Sequence, residues 1–178
     1  MDRSVFVRMT DTRISVRPAR GEEAAALAAL HTRTRTAYYT AGGLPANELI
    51  SANQISAYWE RAVAEGRAQV AATSEDRVVG FLMSGPPKFD DIDGSSVREL
   101  QQIGVEPNGW GRGVGSLLHE AFVRRLHADG LTDGVLECWE ANARAQAFYA
   151  RHGWRPDGSR RSGPLGRDYI RLRVTVPL

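Results

Sequence analysis

The chain has 178 residues, of which 42% are hydrophobic and 25% charged, and its 23 basic side chains nearly balance its 21 acidic ones. A chain of this size and balance is long enough for one well-buried core and short for two, and its composition excludes a disordered or low-complexity protein. The charges are scattered rather than striped, which argues against a nucleic-acid partner. One cysteine, Cys138, and four scattered histidines leave no internal disulfide and no structural zinc or other metal site.

Residues 1–12 mix charge with apolar residues and lack the apolar core of a signal peptide, and no later run approaches the ~20 apolar residues that span a bilayer. The expectation is a soluble, cytoplasmic protein with no membrane partner, a loose extension over 1–12 and a single domain over 13–178. Residues 14–19 read as a strand ended by Pro18. A helical stretch with acids in its first turn follows over 21–39. Gly42, Gly43 and Pro45 break the chain, and residues 55–66 read as a second helix stopping at Gly66. Two strands around a Ser-Glu-Asp turn fill 67–85 as a hairpin. A loop rich in Pro, Gly and Asp leads to a strand over 97–105.

Four glycines then fall on alternate positions, Gly109, Gly111, Gly113 and Gly115, and Ser116 and an amphipathic run follow directly. Glycine lets successive amides turn toward one point, and a helix start adds free N–H groups and a positive dipole end, so this stretch reads as an anion cradle. A P-loop is excluded because the only lysine, Lys88, lies far upstream. The dinucleotide fingerprint fails at its third glycine, where Ser116 stands. Val114, Leu117, Leu118, Ala121, Phe122 and Leu126 keep helical spacing. The strand at 133–139 follows, and a helical crossover between two strands makes them a parallel pair. Residues 142–153 supply a last helix with Gly153 as its stop, and a strand pair closes the chain.

The segments GVEPNGWGRGVGSLL and NARAQAFYARHGW, separated by one strand, resemble the diphosphate loop and the Asn and Phe-Tyr helix of the GNAT family of N-acetyltransferases. The likeness runs over roughly 14–178. It implies an α/β fold, a mixed, mostly antiparallel twisted sheet with a central parallel strand pair, flanked by helices. It also implies acetyl-coenzyme A (acetyl-CoA) as donor, with its diphosphate on Gly111, Arg112, Gly113, Val114, Gly115 and Ser116 and its pantetheine arm along Ile103, Gly104 and Val105. Trp110 stands where the family has Gln or Arg, a departure that bears on local packing more than on backbone contacts. Asn142 either caps its helix or meets the pantetheine amide, and Phe148 lies beside Tyr149 on the cofactor side.

Amide formation from a thioester needs a neutral amine and a proton for the departing sulfur. A primary alkylamine of pKa ~10.4 is neutral in roughly one molecule in two thousand at about pH 7, so a base is useful. Glu99 is in register with the family's base, with Asp90, Asp91 and Asp93 as alternatives, and Tyr149 matches the residue that protonates the thiolate. Cys138 could carry an acetyl group only by a less favoured ping-pong route. Tyr38, Tyr39, Tyr58 and Trp59 are either acceptor-cleft or core residues. The reading is direct acetyl transfer to a primary amine of a small molecule. A protein amine, a non-catalytic acyl-CoA sensor, a carrier-bound donor and a homodimer stay open.

Overall fold

The computed structural model describes residues 7–9, 12–45 and 52–177. The chain forms two compact units, one of residues 1–35, 50–84 and 102–123 and the other of 36–49, 85–101 and 124–178. Strand β5, Val97–Val105, runs through both, its first five residues in the second unit and its last four in the first.

In the first unit the strand order is β1-β2-β3-β4-β5, with β1 Val7–Met9, β2 Thr12–Pro18, β3 Ala68–Thr73 and β4 Val78–Gly85. Residues 7–9 of the N-terminal stretch thus form a strand paired with β2, while 1–6 and 10–11 lie outside the described residues. The β3–β4 hairpin turns at Asp76, whose φ of 62° is left-handed. That carboxylate accepts hydrogen bonds from Arg17, at 2.6 Å, and from Arg20. Helix α1, Ala24–Ala41, begins after a 3-10 turn, where Glu23 accepts from the Arg20 amide at 2.7 Å and from the Arg17 fork. Helix α2 spans Ala52–Ala64, and Gly66, with φ 66°, ends it. Ile55, Trp59 and Ala62 recur at helical spacing and bury against Leu27, Leu30, Val70, Phe81 and Met83.

In the second unit the order is β5-β6-β8-β7, with β6 Asp133–Trp139, β7 Arg155–Arg161 and β8 Tyr169–Thr175. β5 and β6 are parallel, as the intervening helix α3, Val114–Ala128, requires, and β6, β8 and β7 follow as antiparallel neighbours. Helix α4, Ala143–Arg151, is capped by Asn142, whose side chain accepts from the Ala145 amide at 3.1 Å, and Gly153 (φ 85°) reverses the chain after it. The mixed sheet with one parallel pair and flanking helices is the fold read from the sequence.

Candidate active site

The first unit carries the glycine turn. After β5 come a 3-10 turn at Pro107–Gly109, the extended residue Trp110, and then Gly111 and Gly113, with φ of 76° and 84°. Side chains rarely take such angles, so the alternation of glycine here is a backbone requirement. Gly111 has nothing within 4 Å of where a Cβ would stand. The turn delivers the chain into α3, whose first intrahelical bond runs from the Leu117 amide to the Gly113 carbonyl at 3.1 Å. The amides of Val114, Gly115 and Ser116 therefore lie in the first turn of α3. Val114, Leu117, Leu118 and Phe122 are buried and fasten the helix.

Trp110 explains its departure from the family pattern: its indole Nε1 donates to the Val105 carbonyl at 2.8 Å and ties the turn to the end of β5. Glu106, between them, accepts both arms of the Arg33 fork at 3.0 and 2.6 Å, which holds its carboxyl below the usual range. Gly104 has a packing reason of its own, since a Cβ there would stand 2.3 Å from the Phe81 ring.

The second unit carries the side chains expected to do chemistry. Opposed residues of a sheet share a face and alternate residues change face. The β5–β6 register ends at Glu99↔Val135, and the β6–β8 register pairs Val135↔Arg173, Glu137↔Arg171 and Trp139↔Tyr169. Glu99, Glu137, Arg171 and Tyr169 therefore share one face. Leu100, Leu136, Cys138, Ile170 and Leu172 occupy the other.

Glu99 is 9% exposed, and its Oε2 accepts from the Lys88 amide at 3.0 Å. Burial pushes its carboxyl above the ordinary range and the nearby Glu137 carboxylate adds to this, while Lys88 and Gln101 oppose it. Two of the alternative bases are weaker ones. Asp91 accepts both Nη groups of Arg171 at 2.7 Å, and Asp93 accepts from the Ser95 hydroxyl and amide at 2.7 and 2.9 Å, which pulls both carboxyls down.

Tyr149 is buried on α4 between Phe148 and Trp154, with ring centroids 5.4 and 5.9 Å away. Burial first, and then the neighbouring Cys138, raise its phenol far above the usual value, so the hydroxyl keeps its proton. Cys138 is itself buried, which pushes its thiol up to about 12, and its Sγ donates to the Trp139 carbonyl at 3.7 Å. Asn142 spends its side-chain oxygen on the helix cap, and Phe148 is half-buried between Tyr149 and His152.

Of the four aromatics, Trp59 and Tyr39 are core residues at 0% and 2% exposure. Trp59 Nε1 donates to His31 Nδ1 at 3.1 Å, Tyr58 packs on the same cluster, and Tyr38 and Tyr39 pack with Trp139.

Sequence reasoning missed a polar cavity of about 270 Å³ on the Glu99 face of the second unit. Phe89 and Asp91 of the loop before β5 line it, with Glu137 of β6, Arg171 of β8, and Ser159, Arg160 and Arg161 of β7. The available signal was the alternation of Arg171 and Arg173 with Ile170, Leu172 and Val174, which marks a strand with one polar face. Among the described residues there is no cluster suited to a metal ion and no helix long and apolar enough to cross a membrane.

Comparison with known proteins gives a match to the family model for acetyltransferases of the GNAT family over residues 27–154. A mycothiol acetyltransferase of Saccharomonospora viridis is 34% identical over 87 residues, which make up 48% of this chain and 28% of that protein. The fold is similar to that of Ard1 from Thermoplasma volcanium, with a TM-score of 0.72 and 16% identity over 93% of this chain and 99% of that one. It is also similar to the PaiA N-acetyltransferase of Thermoplasma acidophilum in complex with coenzyme A, with a TM-score of 0.66 and 14% identity over 91% and 98% of the two chains.

Proposed function

The chain belongs to the acetyltransferase (GNAT) family, and on that premise we propose that it moves an acetyl group from acetyl-CoA directly to the primary amine of a small molecule. The observation that carries this reading is the pair of left-handed glycines, Gly111 and Gly113, opening into the first turn of α3. Amides of residues 111–116 donate to the donor's diphosphate, with Arg112 adding a charge-assisted bond. Ile103, Gly104 and Val105 offer backbone to the pantetheine arm. The Val105 carbonyl also accepts from the Trp110 indole.

Glu99 is the base. Its raised proton affinity brings the carboxylate nearer to the amine it must relieve, which improves proton transfer. The amine nitrogen attacks the thioester carbonyl, the C–N bond forms, the C–S bond breaks, and the nitrogen's proton passes to Glu99. Tyr149 serves the departing sulfur. An ordinary phenol already gives its proton to a thiol-type sulfur uphill by about 2 kcal/mol, and burial of Tyr149 steepens that. The residue therefore acts first as a hydrogen-bond donor to the developing thiolate, which is neutralised as solvent resupplies the proton. The protonated, buried state of Cys138 favours direct transfer over an acetyl-cysteine route.

Thiol release from acetyl-CoA, followed against a panel of amines and amino acids with acetyl-CoA binding measured by calorimetry, tests the proposal. Amine-dependent release with no acetylated protein in the intact mass spectrum is the expected result. Binding without release against the whole panel would replace the enzyme with a sensor.

A further inference from the structure

We propose that the cavity on the Glu99 face receives the acceptor, and that the acceptor is a small zwitterion, an amine that carries a carboxylate within one or two carbons, with Arg171 as the partner of that carboxylate. This rests on the acetyl-transfer reading above and names the acceptor's chemistry.

Arg171 is the best-anchored cation in the cavity, at 7% exposure in β8. Its Nε donates to Asp157 at 2.6 Å and its Nη2 to the Ser159 hydroxyl at 2.7 Å, both on β7. The two Nη groups then face one carboxylate, Asp91, at 2.7 Å each. This is the forked geometry by which arginine recognises a carboxylate. The two anchors belong to the sheet, but Asp91 belongs to the loop before β5, and its side chain is 64% exposed. A ligand carboxylate can take its place at the fork with no change in the charge that Arg171 meets. Phe89, its ring centroid 5.2 Å from the Arg171 guanidinium carbon, supplies an apolar wall beside the fork.

The rest of the face sets the position of the amine. Glu137 stands directly opposite Arg171 across adjacent strands, roughly 4.8 Å apart. Glu99 lies on the next strand, close enough to Glu137 for the two charges to act on each other. Across β5, β6 and β8 the order is thus acid, acid, cation. Glu99 lies outside the residues that line the cavity, so a carboxylate settles on Arg171 and the ammonium group points along the face toward Glu99, past Glu137, which accepts from Arg161 at 2.6 Å. The volume, about 270 Å³, falls just under the ~300–1,000 Å³ of pockets that hold drug-sized ligands. That suits an acceptor the size of one amino acid.

The test compares kcat/KM for the twenty L-α-amino acids with kcat/KM for their carboxamides, in the parent protein, in Asp91→Asn and in Arg171→Gln. Comparing the ratio between proteins cancels the differing basicity of the two amines. The expected result is a preference for at least one free amino acid over its carboxamide of about tenfold or more, raised in Asp91→Asn and lost in Arg171→Gln, with acetyl-CoA affinity unchanged. Arg171→Gln removes one of the two arginines that bond Asp157, leaving Arg173, and is the variant at risk of misfolding. Asp91→Asn, at an exposed loop side chain, keeps the question answerable, and an unchanged or lower preference there overturns the inference. Turnover of amines without any use of amino acids overturns it while leaving acetyl transfer intact. Failure to bind acetyl-CoA, or to release thiol with any member of the panel, removes the acetyl-transfer reading and this inference with it.

Discussion

His31 makes the fold of the first unit sensitive to acid by an amount that can be worked out. Its imidazole is buried on α1 against Trp59 and Phe81, with ring centroids 5.8 and 5.4 Å away. The Trp59 indole donates to Nδ1 at 3.1 Å, so this nitrogen must be free of a proton. Burial first, and then the positive charge of Arg35, lower its pKa from 6.5 to about 4. The folded state therefore refuses a proton that the unfolded chain accepts. The stabilisation is complete above about pH 6.5 and is lost as pH falls toward about 4. At ~1.4 kcal/mol per pH unit this is roughly 3 kcal/mol, or a fall in Tm of about 6–12 °C for a chain of this length. Thermal unfolding followed by circular dichroism across that window, in the parent and in His31→Gln, isolates the effect. Glutamine keeps an acceptor for Trp59 and does not titrate, while the carboxylates that also weaken in acid are common to both proteins. The variant should lose about 3 kcal/mol less than the parent between the two ends of the window. Parallel curves would refute the reasoning.

Glu99→Gln should lower kcat/KM by about 10²–10⁴ and remove the acid limb of its pH profile. In the parent that limb should lie above the ordinary carboxylate range, since burial raises the Glu99 carboxyl and activity is lost as falling pH protonates it. Tyr149→Phe should reduce kcat by about ten- to a hundredfold, the worth of a hydrogen bond to a charged group, with acetyl-CoA affinity unchanged by calorimetry. Cys138 should resist iodoacetamide at about pH 8 in the native protein, because a thiol with a pKa of about 12 has roughly one part in ten thousand as thiolate and is buried besides. Mass spectrometry should find the adduct only after unfolding.

The parts of the fold that were legible in the sequence are those governed by local chemistry. The glycine turn shows because its left-handed positions accept little else. The α4 cap shows because Asn142 stands three residues before the amide it accepts, and the parallel pair follows from the helical crossover. Trp59 and Tyr39 left the sequence ambiguous between core and cleft, because a helical aromatic reads alike in either place. Only the bond of the indole to His31 and the packing of Tyr39 on Trp139 assign them to the core. The Arg171 cavity was hidden for another reason. Its charges come from three strands and a loop spread over residues 89 to 171, and neither their register nor the fork at Asp91 is a property of any short stretch. Two of the three loop acids, Asp91 and Asp93, are partners of Arg171 and of a serine turn.

The central claim, that the turn at Gly111 and Gly113 grips the diphosphate of acetyl-CoA through its backbone, is tested most directly by calorimetric titration of acetyl-CoA into the parent protein and into Gly113→Val. Valine is strained at φ 84° and sets a branched side chain where the amides must be approached. The account predicts a loss of affinity of about tenfold or more in a variant whose circular dichroism matches the parent's, and equal affinity in the two folded proteins would contradict it.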